Sequence, residues 1–325
     1  MKRVGKMLSL IVSCTILMGC GSEVSDIASS NFGGQETNDS ATIADSSTAT
    51  AGSRSSTPQV LVPEASGVDV YSNADASIDA SNASEGYVMV AYTGSASKVR
   101  MLIETPEGNT YNYLMDLDGE YDVYPLSEGD GAYNIGVYEN IKDDQYSLAF
   151  SQSVTVTLKN EYTAFLYPNA YVDFNSSSDA VAKGQELATG ADTDLDVVDS
   201  VYHYIIENVS YDYDKAETVQ SGYIPDVDDT LATGKGICFD YASLMGAMLR
   251  SQGIPTRLDI GYAGTEYHAW ISVYIEGTGW IDDIIEFDGT SWTLMDPTLG
   301  SYAKKSTIKD HWDSKDTYYQ LKYKY

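Results

Sequence analysis

Three residues in the last third of this 325-residue chain have the types and settings for attack on a carbonyl carbon. Cys238 lies in Gly234-Lys235-Gly236-Ile237-Cys238-Phe239-Asp240-Tyr241-Ala242, where a glycine turn opens an amphipathic helix. His268 begins the strand-like run His268-Ala269-Trp270, and Asp296 stands in Asp296-Pro297-Thr298. A thiolate attacks, an imidazole moves the proton, and a carboxylate fixes the imidazole's tautomer and orientation. The positive end of a helix and a neighbouring imidazolium both favour thiolate over thiol. For the oxyanion of a tetrahedral intermediate, the Cys238 backbone N–H is a natural donor, and Tyr211 or Tyr213 is the candidate for a second. Taken one at a time, each has a plain structural reading: a buried small hydrophobe, a satisfied strand histidine, a turn-forming aspartate. Their occurrence together in one short region favours the chemical reading.

The elements that must position these residues are legible. Val198, Val201, Tyr202, Ile205 and Val209 fall at i, i+3, i+4, i+7 and i+11, an apolar stripe on a helix, with His203 off the stripe and on the surface. Ser210-Tyr211-Asp212-Tyr213-Asp214 ends that helix and starts a polar segment running to Thr233. A second helix starts near Cys238, turns Ala242, Met245, Met248 and Leu249 inward, and stops at Gly253 before Pro255. Strands are expected over Thr256 to Tyr262, His268 to Ile275, Trp280 to Phe287 and Ser291 to Met295, with Asp288-Gly289 as a hairpin turn. In the second of these, Ala269, Ile271, Val273 and Ile275 share one face, the core side. His268 projects from the other face with Trp270, Ser272 and Tyr274, where the nucleophile helix is expected to cross the strand end. The tail from Tyr318 to Tyr325 reads as a closing strand.

Upstream, residues 59–175 alternate in short apolar and aromatic runs: Tyr87 to Tyr92, Val99 to Ile103, Tyr111 to Met115, Tyr133 to Tyr138 and Ser153 to Leu158. Such spacing, with turns at Pro106 to Asn109 and Glu128 to Gly131, suggests an antiparallel sandwich of immunoglobulin type without its cysteine pair. Its tyrosines read as strand formers in preference to a carbohydrate platform.

The N-terminus combines Lys2, Arg3 and Lys6 with an apolar run from Met7 to Met18, too short for a spanning helix and right for a secretion signal. It closes on Leu17-Met18-Gly19-Cys20, which resembles the bacterial lipobox, so residues 1–19 read as a lipoprotein signal peptide and Cys20 as the lipidated residue. Residues 20–58, rich in Ser, Thr, Ala, Asp and Gly, read as a disordered tether with a reach of about 35 Å. Cys14 leaves with the signal, so no disulfide framework exists and Cys238 is a free thiol. The formal charge of −29 repels polyanions, and no basic stripe offsets it, so nucleic acid is excluded as a partner. His203, His268 and His311 lack zinc spacing; Asp226, Asp228 and Asp229 lack the glycine and distal glutamate of a calcium loop; no phosphate-cradling loop occurs. No metal or cofactor is therefore expected.

Together with Gly253-Ile254-Pro255, Gly261-Tyr262, Tyr267-His268-Ala269-Trp270, Gly279-Trp280 and Val209-Ser210-Tyr211-Asp212, the Cys238 and Asp296 motifs resemble the core of the transglutaminase-like superfamily over about residues 195–300. The resemblance implies a papain-like α+β fold for residues 176–325, a nucleophile helix packed on an antiparallel sheet, with Cys238 as nucleophile, His268 as base and Asp296 as orienting residue. The family commonly passes from Gly-Trp almost directly into Asp-Pro-Thr, whereas here Ile281 to Met295 intervene, which makes Asp282 or Asp283 the fallback for Asp296. The expected function is an extracytoplasmic, lipid-anchored thiol acyl-transfer enzyme acting on amides of protein or cell-wall peptide. The alternative is a non-catalytic peptide- or glycan-binding surface lipoprotein with a vestigial triad.

Overall fold

The computed structural model describes residues 52–282, 285–287, 292–294 and 319–325. Cys20 and its signal, most of the tether, Asp283, the Asp288-Gly289 turn, Asp296 and His311 lie outside the described residues.

The N-terminal strands are β1 (Val70–Ser72), β2 (Ala76–Asp79), β3 (Tyr87–Tyr92), β4 (Val99–Glu104), β5 (Thr110–Leu114), β6 (Asp122–Pro125), β7 (Gly131–Lys142) and β8 (Gln145–Val156). They form two antiparallel four-stranded sheets, ordered β1-β2-β3-β6 and β5-β4-β7-β8, so the chain crosses between sheets after β3, β5 and β6. Tyr87, Tyr92, Tyr111, Tyr113, Tyr124 and Tyr133 are all buried, which makes them core and leaves them off any surface platform. β7 and β8 run well past the apolar segments that mark them in the sequence, because their distal half is a largely exposed hairpin with no buried face to betray it.

The second unit contains α1 (Asp179–Leu187), α2 (Asp194–Asn208), β9 (Ser210–Tyr211), α3 (Tyr213–Thr218), α4 (Val227–Thr233), β10 (Lys235–Gly236) and α5 (Cys238–Arg250). After them come β11 (Thr256–Ala263), β12 (Glu266–Ile275), β13 (Gly279–Ile281), β14 (Ile285–Phe287), β15 (Trp292–Leu294) and β16 (Tyr319–Lys324). The α2 stripe is buried as its spacing requires, and Thr193 and Asp196 cap the helix reciprocally. One antiparallel sheet has the order β13-β12-β11-β16, so the closing strand pairs with β11, and β14 pairs with β15 as the added hairpin. No helix among the described residues is long and apolar enough to cross a membrane.

α5 is the axis of this unit. Every residue from Asp240 to Arg250 is buried, with α1, α2 and α4 packed on it along with β11 and β12. Leu258, Ile260, Ala269, Ile271 and Val273 join its apolar cluster, which continues without a break into the N-terminal sheets through Val172, Tyr111 and Tyr113. Tyr171 lies between the units, 5.3 Å from Phe239 and 5.4 Å from Tyr113, centroid to centroid.

The tether ends earlier than expected: residues 52–58 are held to the second unit. Arg54 donates Nε to Asp194 (2.6 Å) and Nη2 to the Gln252 carbonyl (2.6 Å), while its amide reaches the Ala191 carbonyl (3.1 Å). The composition of this stretch gave no sign of that, because one long cation anchors it and no apolar run does.

Arg250, at the end of α5, is fully buried and donates to three main-chain oxygens, of Thr256 (2.8 Å), Tyr167 (2.8 Å) and Tyr325 (2.7 Å). Burial pushes its guanidinium down to about 9, and these oxygens hold the charge in place. Replacing it by Met fills the space but removes a donor from three main-chain oxygens, of which that of Tyr325 keeps the Leu258 amide (2.8 Å). Arg250→Met is expected to cost about 3 kcal/mol in urea denaturation; an unchanged midpoint would mean that water takes over the three contacts.

Candidate active site

The turn before Cys238 is built from backbone pairing. Gly234 ends α4 with φ of 60°, a left-handed conformation that glycine adopts without penalty. β10 then pairs in parallel with β9, Lys235 beside Ser210 and Gly236 beside Tyr211. The Ser210 amide donates to the Gly234 carbonyl and the Asp212 amide to the Gly236 carbonyl, both at 2.9 Å. From beneath, the Tyr241 hydroxyl donates to the Val209 carbonyl (2.7 Å), fixing the end of α2 to α5. Tyr211 is thereby placed level with Gly236, two residues before the thiol, and is half-buried. Tyr213 opens α3 and is 61% exposed, its ring 5.0 Å from that of Tyr211. Of the two oxyanion candidates, only Tyr211 is zipped to the turn before Cys238.

Cys238 is the first residue of α5 and half-exposed, although the rest of the helix beyond Phe239 is buried. A residue in that position keeps an N–H with no partner inside the helix. The helix start is held by Asp240, which lies at 0% exposure and accepts from the Ile237 amide (2.8 Å) and from Lys215 Nζ (2.8 Å), while the Tyr223 hydroxyl donates to its other oxygen. Burial, then the bond to Asp240, pushes the Tyr223 hydroxyl up to about 12, so it remains a donor. Burial works against the Lys215 charge, but Asp240 and Tyr223 outweigh it and hold the ammonium above its ordinary value. Sequence reasoning missed Lys215 and Tyr223, which stand 25 and 17 residues from Asp240 with no local pattern to join them.

His268 is half-buried and pairs with Gly261 across β11 and β12. The expected alternation holds, the His268 ring lying nearly parallel to Trp270 with centroids 6.3 Å apart. However, α5 packs on the Ala269, Ile271 and Val273 face and not, as expected, across the face that carries His268, because the apolar face is the one that α5 buries. The opposite face is buried as well, because Arg257 donates Nε and Nη2 to Asp259 (2.5 and 3.0 Å) and Ser272 donates to the same carboxylate (2.6 Å). Asp282, the fallback orienting residue, is engaged by Arg257 (2.8 Å), which itself lies over the Trp280 ring. That ion pair gives Asp282 a structural role; Asp296 lies outside the described residues. His203 is paired with Asp199 on the surface of α2. No cluster of metal-binding side chains occurs among the described residues.

Residues 181–283 match the transglutaminase-like superfamily. The chain carries a transglutaminase-like domain. Its mixture of helix and antiparallel sheet is of the α+β kind, and the match begins in α1 and runs through α5 to just past β13. A stretch of 98 residues is 32% identical to the UPF0252 protein MJ1282 of Methanocaldococcus jannaschii, over 26% of this chain and 28% of that protein. The chain is thus similar to little more than a quarter of that relative. Among solved structures, a candidate cysteine protease from Cytophaga hutchinsonii is similar at a TM-score of 0.33 and 17% identity, over 71% of this chain and 69% of that one. A candidate protease from Parabacteroides distasonis is similar at 0.28 and 14%, over 64% and 63%. Likeness at that level carries no activity over to this chain.

In the transglutaminase-like domain, Gly236 is required by close approach: a Cβ there would meet the Asp240 Cβ at 2.6 Å. Gly236→Ala is expected to displace the Asp240 carboxylate from the Ile237 amide and lower stability by about 1–2 kcal/mol in urea denaturation. Unchanged stability would show that the turn relaxes without losing its cap.

Proposed function

We propose that this chain is a thiol acyl-transfer enzyme in which Cys238, His268 and Asp296 act on an amide bond. The Cys238 sulfur attacks the carbonyl carbon, His268 passes the thiol proton to the leaving amine, and a thioester remains on Cys238. Transfer of the acyl group to a second amine gives a cross-link, and transfer to water gives hydrolysis. Asp296 holds the imidazole, and the Cys238 amide with Tyr211 receives the oxyanion. One observation carries the reading: within a transglutaminase-like domain, a half-exposed cysteine is the first residue of a helix that is otherwise almost wholly buried. The substrate class is protein or cell-wall peptide, reached from a lipid on Cys20 outside the cytoplasm. The anchor is supported by the lipobox-like Leu17-Met18-Gly19-Cys20. The immunoglobulin-type reading of residues 59–175 is supported by the two antiparallel sheets and their three crossings.

A second reading, a peptide- or glycan-binding surface lipoprotein with a vestigial triad, is favoured by one observation. Strand alternation places His268 on the face of β12 away from the α5 cluster. β13 pairs with β12 only from Val273 to Ile275, short of His268.

The pH dependence of iodoacetamide alkylation separates the two. In the full chain, with labelling read at Cys238 by peptide mapping, the midpoint is expected well below the value of about 8.5 for a free thiol. His268→Ala is expected to return it there. An ordinary midpoint that ignores the substitution would sink the acyl-transfer reading and favour the binding module.

A further inference from the structure

The Lys215–Tyr223–Asp240 cluster has features that capping alone does not need. Both Asp240 oxygens are taken by donors from three places: the Ile237 amide just before α5, Lys215 of α3, and Tyr223 of the connection between α3 and α4. Lys215 also contacts the Tyr223 hydroxyl and lies 4.4 Å from its ring centroid, and Tyr223 meets the edge of Phe239 at 6.4 Å. The other end of the cluster is equally fixed: the Asp212 side chain accepts from the Lys215 amide (2.9 Å), and the Asp212 amide donates to Gly236. A closed bracket therefore runs from Tyr211 through Asp212, Lys215 and Asp240 back to the residue before Cys238. A partly buried ion pair is a poor stabiliser compared with apolar side chains of the same volume, so its place two residues past the thiol calls for another reason.

We propose that Lys215, Tyr223 and Asp240 are positioning residues that set the separation of Tyr211 from the start of the Cys238 helix and keep the charge beside the thiol balanced. The proposal rests on the reading of Cys238 as nucleophile. Tyr211 approaches with the cluster, and charged groups on the elements around α5 are engaged or exposed elsewhere. Asp228 of α4 accepts from the Ala180 amide, Lys183 of α1 pairs with Glu186, and Arg257 and Asp259 of β11 bind each other. Asp214 of α3, Asp229 of α4 and Lys235 of β10 are exposed, and His268 of β12 is the proposed base. The Lys215 and Asp240 charges are thus the pair whose imbalance the thiol would feel.

The test reads the Cys238 alkylation midpoint in the full chain. Asp240→Asn leaves Lys215 uncompensated, favours thiolate, and is expected to lower the midpoint by about half a pH unit. Lys215→Met leaves Asp240 uncompensated and is expected to raise it by a similar amount, whereas Lys215→Arg, which keeps the charge, leaves it near the wild-type value. Should Asp240→Asn fail to fold, the two Lys215 variants carry the same test, since that side chain is 26% exposed. Loss of packing alone does not produce shifts of opposite sign. If the wild-type midpoint is depressed and depends on His268, but the charge-removing variants move it in one direction or not at all, this inference is overturned and the nucleophile reading stands. An ordinary wild-type midpoint overturns both.

Discussion

The structure is organised by the need to bury α5 on all sides. A helix with no solvent-facing stripe requires covering elements around its whole circumference, and here β11 and β12 cover one side and α1, α2 and α4 the others. Close approach is built into that arrangement: Cβ atoms at Gly184 and Gly246 would meet the Met248 carbonyl at 2.9 Å and Val172 at 3.2 Å. Once the barrel of the helix is enclosed, solvent reaches it only at an end. The C-terminal end is closed by Arg250 and its three main-chain oxygen partners, so Cys238 occupies the end that remains. A buried helix thereby yields a half-exposed thiol at its own positive terminus.

Charge frames the same site from further away. A formal charge of −29 disfavours thiolate anywhere on this surface, although salt screens the distant part of that field beyond about 10 Å. Any activation of Cys238 must therefore be local, from the helix terminus and an imidazolium. The chain has only 19 Lys and Arg against 48 Asp and Glu, and four of these cations hold parts of the fold in register: Arg54, Lys215, Arg250 and Arg257. Acidity outside and sparing internal use of cations are two sides of one composition.

What the sequence made legible follows from range. The α2 stripe, the start and stop of α5, and the strands from Thr256 to Ile275 are patterns within a dozen residues, and they appear where their spacing puts them. The short α3 and α4 were hidden in a polar segment because side-chain caps make them: Asp212 accepts from Lys215, and Asp226 from Asp228 and Asp229. Burial on both faces of β12 was hidden for the same reason, since Trp270 and Ser272 lie against Arg257 and Asp259 of the neighbouring strand and gain no apolar periodicity from it. The Arg54 anchor, bridging 198 residues to Gln252, has no local signature at all. Cys238 stood out because its chemistry and its helix start coincide in one short motif, whereas its support by Lys215 and Tyr223 is a property of the folded chain alone.

The folding unit around Cys238 extends beyond residues 181–283. Tyr171 lies before that stretch and Tyr325 after it, yet they meet at 4.5 Å, and both also contact Tyr113 of β5. Phe239, the residue after the thiol, packs on Tyr171. Ser243 in the middle of α5 donates to the Tyr171 carbonyl (2.7 Å), and Lys324 of β16 reaches Glu128 between β6 and β7 (3.0 Å). The family-like segment thus has part of its core supplied by the strands that precede it and by the one that follows. Aromatic contacts of this kind have defined geometry as well as area, so Tyr113 of β5 is joined through Tyr171 to Phe239, the residue after Cys238. The two N-terminal sheets are on this ground a structural wall of the candidate site.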